Sequence, residues 1–228
     1  MVTEMSELST LVEGGQYLIE NFDQFLTLLR QHIILVLVSE LAAIAVAVPL
    51  GIIAVRYKRL QGAILSMGNV AQTIPTLAVI ALAFPIFGLG FSSAVIALFV
   101  YALLPILTNT ITGLDQVDES TIEAAKGMGM TKGEILRKIQ LPMALSVIFA
   151  GIRTSIVINV GTAYLAFFIG GGGLGVWVIS GINLFNTPQI LAGAIPGALL
   201  AITLDSTFAF IARQIGGEGL QDQSIATG

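Results

Sequence analysis

Glu123-Ala124-Ala125-Lys126-Gly127-Met128-Gly129, closed by Ile139-Gln140-Leu141-Pro142, is a polar island between long apolar runs. Two Ser/Thr-x-x-Glu patterns, Ser120…Glu123 and Thr131…Glu134, flank its glycines. In such a box the hydroxyl caps a helix start while the Glu reaches back to the cap's own N–H. The island is therefore predicted to form two short helices hinged near Gly127–Gly129. The first sets Ile122, Ala125 and Met128 along one side, with Ala124 and Ala125 small enough for close backbone approach by a partner. The second turns Ile135, Leu136 and Ile139 toward the membrane domain and Lys132, Arg137 and Lys138 toward water or a partner. Pro142 then starts a new apolar helix, where its missing N–H is no loss.

The rest of the chain sets this loop in a membrane. Apolar residues make up 55% of the 228 and charged residues 11%, with a mean hydropathy of +0.92; that is a polytopic membrane protein of one domain. Zero Cys and a single His, His32, leave no thiolate or His-rich metal site and no haem ligation. No cofactor is indicated. With 10 basic residues against 14 acidic ones, nothing points to nucleic acid.

Five apolar stretches are long enough to cross a bilayer, which takes about 20 residues each. They run over about 33–55, 61–87, 91–111, 141–169 and 189–213. Arg56, Lys58 and Arg59 follow the first; Lys126, Lys132, Arg137 and Lys138 lie between the third and fourth. The connections near 88–93 and 170–188 carry no charge. The positive-inside bias makes the two basic loops cytoplasmic, the N-terminus external and the C-terminus cytoplasmic. The expected fold is thus all-α, integral to the membrane, with five transmembrane helices. Residues 1–30 form an acidic external segment, amphipathic from Tyr17 to Leu29. The transmembrane domain covers 31–214, with the loop at 115–142, and 215–228 is a cytoplasmic tail. A sixth span through the acidic segment would bury Glu20, Asp23 and Arg30 at a few kcal/mol each. No signal-peptide pattern precedes the first span.

The spacing Glu-Ala-Ala, three residues, Gly, nine residues, Ile-x-Leu-Pro resembles the cytoplasmic "EAA" loop of ABC importer permeases. Gln72-Thr73-Ile74-Pro75-Thr76, the run from Tyr101 to Thr110, and Gly151-Ile152-Arg153-Thr154-Ser155 onward to Gly175 look like permeases of the osmoprotectant group. The resemblance spans about 22–214. It implies a type I importer permease fold in a prokaryotic plasma membrane. It also implies uptake of quaternary amines such as glycine betaine, carnitine or choline, with amino acids or other small solutes as the alternative cargo. Glu123, Ala124, Ala125, Gly129, Ile139, Leu141 and Pro142 would couple the pore to an ATPase; the other reading is a solvated basic loop with ordinary caps.

The chain contains no Gly-x4-Gly-Lys-Ser/Thr phosphate loop, so ATP is expected to be hydrolysed by a separate ATPase chain. The resemblance adds an extracytoplasmic substrate-binding protein, since no binding domain is fused, and a second permease subunit, since the loop occurs once. Binding proteins for such amines cage the ammonium with aromatic faces, which would put most specificity outside this chain. A secondary transporter or channel would need inverted repeats, broken midplane helices or charge rings, none of which the sequence displays. A membrane enzyme is disfavoured because His32 has no triad partners.

Three ionisable residues fall inside spans. Glu40 lies ~13 Å inside the outer end of the first, either as a helix-contact residue or as an anion on a cation's path. Arg153 and Asp205 lie ~16 Å and ~12 Å from the cytoplasmic edge, close enough in depth to pair across the last two spans. The run Gly170–Gly173 is expected to bend the chain back at the outer surface, with Trp177 as an interfacial anchor; a gating or partner-contact role is the other possibility.

Overall fold

The computed structural model describes residues 2–216. Every regular element among them is helical. Among the described residues, four helices are long and apolar enough to cross a membrane, and a bent pair makes a fifth if counted as one span.

The chain opens with α1 (Val2–Glu20) and α2 (Phe22–Arg56). The expected amphipathic helix over Tyr17–Leu29 is not one element: the chain breaks at Asn21, and Phe22–Leu29 form the first turns of the long α2. Asn21 turns its amide onto the Tyr17 carbonyl at 2.9 Å, satisfying a group at the end of α1 while α2 starts afresh. Glu20, Asp23 and Arg30 all remain exposed. Gly14 of α1 is buried where a Cβ would stand 3.0 Å from the Cβ of Leu191.

The second expected span is broken. α3 (Lys58–Thr73) and α4 (Thr76–Phe87) meet at 98°. The cause is Pro75, whose ring drives the residue before it out of helical conformation: Ile74 is extended, at φ −79° and ψ 125°. The Ile74 carbonyl left without a helical donor receives the hydroxyl of Tyr101, and the Gln72 side-chain amide donates to the Tyr101 carbonyl at 3.1 Å. Both bonds tie the bend to α5 (Phe91–Asp115), as a broken helix at membrane depth requires.

After α6 (Glu119–Gly127) comes a helix that runs without interruption over Lys132–Ile169. It comprises α7 (Lys132–Ile135), a π turn at Leu136–Gln140, α8 (Leu141–Thr162) and a 3₁₀ segment at Ala163–Ile169. Pro142 therefore lies inside this helix instead of starting it. A proline ring clashes with the carbonyl four residues back. The wider π register, in which Leu141 N–H reaches the Leu136 carbonyl, makes room for it.

The last described elements are α9 (Gly175–Leu184), a short apolar helix, and α10 (Thr187–Gly216). The tail expected at 215–228 lies outside the described residues beyond Gly216. Helices α2, α5 and α8 form the core around Ala43, Ala47, Ala102, Ile106, Ala144 and Ile152. Small residues set the spacing: a Cβ on Gly151 would lie 2.6 Å from Asn109 Cβ, and one on Gly51 would lie 2.6 Å from Thr110 Cγ2. Close backbone approach of this kind is how apolar helices associate where lipid competes with side chains.

Trp177 is not an interfacial anchor. It is 1% exposed, in a cluster with Leu28, Leu174 and Ala192, and takes the edge of Tyr17 with ring centroids 5.2 Å apart. The acidic segment folds over that end of the bundle and covers the indole, a contact invisible to hydropathy.

Candidate functional site

The loop joins α5 to α8 at the end of the molecule that carries the basic residues. Lys58, from the first basic loop, donates to both oxygens of Asp115 at 2.7 Å, and Gln61 donates to the same carboxylate at 3.1 Å. The two basic loops therefore meet at one end of the bundle.

Helix α6 starts one residue before Ser120, with Asp118 at the cap position and no side-chain cap bond. The expected Ser120…Glu123 box is absent, because Ser120 lies inside the helix that the box would have begun. The Thr131…Glu134 box is present. Thr131 N–H donates to Glu134 Oε2 at 2.9 Å, and Glu134 N–H donates back to Thr131 Oγ1 at 3.4 Å. That backbone bond first, then the Thr131 hydroxyl and Lys138, hold the Glu134 carboxyl down at about 2.

Between the helices, Gly129 takes φ +82°, a left-handed conformation that glycine adopts without penalty. Gly129 N–H reaches the Lys126 carbonyl at 2.9 Å and Met130 N–H the Ala125 carbonyl at 3.1 Å. These paired bonds make a Schellman end, so the hinge expected at Gly127–Gly129 is there.

The loop's faces separate sharply. Ala125 is 0% exposed, packed inside its own chain and out of reach of a partner, contrary to the expectation for it. Periodicity could not distinguish an alanine facing the bundle from one facing outward. Glu123, Ala124, Gly127 and Gly129 are exposed, and Met128 stands 73% exposed at the tip. Ile135 is buried, Leu136, Ile139 and Leu141 are half-buried, and Pro142 is exposed. Lys132, Arg137 and Lys138 face outward as expected.

Inside the bundle, Glu40 is 1% exposed. Its Oε2 accepts from Asn159 Nδ2 at 2.8 Å and from Ser155 Oγ at 3.0 Å, which clamps α2 to α8. Arg153 and Asp205 form a two-point bridge between α8 and α10.

A second polar clamp escaped the sequence reading. His32, fully buried on α2, accepts the Leu174 N–H at Nδ1 (3.2 Å) and lies 3.1 Å from the Val160 carbonyl at Nε2. Because Nδ1 accepts, the proton belongs on Nε2. Next to it, Gln31 Oε1 accepts from Gly173 N–H at 3.1 Å. The glycine run, with Gly170, Gly172 and Gly173 at positive φ, is thus pinned to α2. The available signal was the position of a lone histidine beside a glutamine at a span's edge.

The architecture and the loop can be compared with known proteins. The family model described as "Binding-protein-dependent transport system inner membrane component" matches residues 47–216. The chain belongs to that family. Members of this family are transporter components, not enzymes, and the chain is a permease subunit with several apolar helices. Among relatives, the choline transport system permease protein OpuBB of Bacillus subtilis is 42% identical over 206 residues, 90% of this chain and 95% of the relative. The glycine betaine/carnitine/choline transport system permease protein OpuCB of the same organism is 42% identical over 219 residues, 95% and 97% of the two chains. The permease fold matches a chain of the MetNI methionine ABC transporter, solved in inward-facing conformations, with TM-score 0.79 at 19% identity, covering 86% of this chain and 98% of that one.

Proposed function

We propose that this permease carries quaternary-amine osmoprotectants such as choline, glycine betaine or carnitine across a prokaryotic plasma membrane, driven by a separate ATPase. The observation that carries this reading is the evenness of the likeness: 42% identity over nine-tenths or more of the chain to permeases named for these solutes. With the bent α3–α4 pair counted as one of five spans, the positive-inside bias supports a topology with the N-terminus outside and both basic loops in the cytoplasm. Residues 1–30 then form an external segment, 31–214 the transmembrane domain and 215–228 a cytoplasmic tail.

In this reading the ATPase docks on the exposed face of α6. Met128, an exposed apolar side chain in an aqueous loop, offers the contact, with Glu123, Ala124 and Gly129 beside it. Ala125, Ile139, Leu141 and Pro142 act from behind, carrying movement of α6 into α8. A second permease subunit completes the pore, and an extracytoplasmic binding protein delivers the solute.

The test is uptake in cells lacking other osmoprotectant importers, supplied with this permease, its ATPase and its binding protein. Labelled choline, glycine betaine and carnitine are compared with methionine. Uptake of at least one quaternary amine, abolished when the ATPase is omitted, is expected. Uptake of methionine alone, or accumulation under an ion gradient without ATPase, overturns the proposal.

A further inference from the structure

A cleft of about 470 Å³ opens at the basic end of the molecule, between the end of α2, the foot of α5 and the loop helices. That volume suits a small-ligand site. Its floor is apolar, built from Ile52, Val55, Leu114, Ile135 and Leu136. Above the floor stand Arg56, Lys126 and Lys132, and no Asp or Glu lines the cleft. The three cations are exposed. None has an ion-pair partner among the described residues, whose bridges join Lys58 to Asp115, Lys138 to Glu134 and Arg153 to Asp205. Tyr57, 55% exposed, belongs to the same wall and is an aromatic of the kind found at headgroup depth.

An ordinary solvated cationic face has no use for an apolar floor, and an apolar groove for a helix does not call for three unmatched cations. The combination fits an amphiphile with a fixed negative head and a hydrocarbon tail. Basic pockets between membrane helices on the cytoplasmic side recognise lipid headgroups in this way. We propose that the cleft binds one anionic phospholipid of the cytoplasmic leaflet. Its phosphate lies among Arg56, Lys126 and Lys132, and an acyl chain runs along Ile52, Val55 and Leu136. The lipid then bridges the end of α2 to α6 and α7 and ties the loop to the bilayer. This inference rests on the cytoplasmic orientation proposed above and not on which solute is carried.

The test is native mass spectrometry of the full chain in mild detergent, with phosphatidylglycerol and phosphatidylcholine of identical acyl chains. Selective retention of phosphatidylglycerol is expected. Each cation neutralised should weaken it about fivefold, so Arg56→Gln with Lys126→Gln and Lys132→Gln should lose about 100-fold. Arg59→Gln, outside the cleft, should retain full selectivity. If the triple variant fails to fold, the fivefold loss is read from Lys126→Gln alone. Equal retention of both lipids, or a cleft variant that binds like the unaltered chain, overturns the proposal. So does displacement by glycerol phosphate without acyl chains, or by the ATPase subunit, which would make a protein the occupant. Because the readout is lipid retention, a failure here leaves the uptake experiment standing.

Discussion

Arg153 and Asp205 meet in a two-point bridge, Nε to Oδ1 and Nη2 to Oδ2 each at 2.8 Å, that fastens α8 to α10. The two side chains are 38% and 34% exposed, so the pair sits at the edge of the bundle and full burial energies do not apply. An unpaired charge at that depth still costs a few kcal/mol. Each single change to Ala is therefore expected to lower stability in detergent by about 1–2 kcal/mol. The double change should fall short of the sum by about 1 kcal/mol. Strict additivity in thermal unfolding would show that the bridge contributes nothing.

Neighbouring alanines in the loop should behave in opposite ways. Ala125→Glu forces a carboxylate into a fully buried position and is expected to cost about 3 kcal/mol or more and to reduce folded protein. Ala124→Glu, on the exposed face, should leave folded yield unchanged and weaken ATPase association by about 1–3 kcal/mol. Yield by fluorescence-detected size exclusion and co-purification of the ATPase separate the two. Equal yields would contradict the burial assignment.

Glu40 is sealed between α2 and α8 by Asn159 and Ser155. Glu40→Ala removes their shared acceptor, leaving Ser155 Oγ only the Ala102 carbonyl at 3.2 Å and Asn159 Nδ2 only Ser39 Oγ at 3.4 Å, and should cost about 1–3 kcal/mol. Glu40→Gln keeps the shape and one acceptor oxygen. It is expected to preserve both yield and solute uptake, because a side chain 1% exposed is not open to a passing cation. Loss of uptake in a well-folded Gln variant would restore the pathway role.

The Thr131–Glu134 cap makes a prediction about acid. Binding the backbone N–H of Thr131 lowers the Glu134 carboxyl from 4.5 to about 2. A depressed folded pKa means that the cap's contribution is complete above about pH 4.5 and fades as pH falls toward 2. Amide protection factors at Thr131 and Glu134, corrected for the intrinsic pH dependence of exchange, should fall across that window. In Thr131→Val, which loses the hydroxyl, the midpoint should move up toward the ordinary Glu value. Protection factors that stay constant across the window would refute the assignment.

His32→Ala should loosen the far end of the molecule. Removing the imidazole strands the Leu174 N–H and opens a cavity, costing about 2–4 kcal/mol. Amide protection at Gly173 and Leu174 should fall while that of Thr131 and Glu134 is unchanged. Unaltered protection at Leu174 would mean that the glycine run is held by other contacts.

The sequence by itself determined the solvent and the position of the loop. A run of about 20 apolar residues has no stable place except a bilayer or a core, so the boundaries of α5 and α10 were legible from composition alone. The Thr131 box was legible because its two hydrogen bonds are local, closed within four residues. Pro75 was visible, but the 98° bend depends on Tyr101 and Gln72 capturing the freed groups from another helix. Pro142 read as a helix start because a one-dimensional pattern cannot display the π turn that accommodates it. The Arg153–Asp205 bridge was legible from the matched depths of the two residues in the last two spans, and the structure bears it out. The burial of Ala125 and Trp177 and the His32 clamp were decided only by the tertiary structure. Periodicity says that a side chain lies on a given face, while the partner across that face comes from residues up to 142 positions away, and only the packing of whole helices fixes which residues those are.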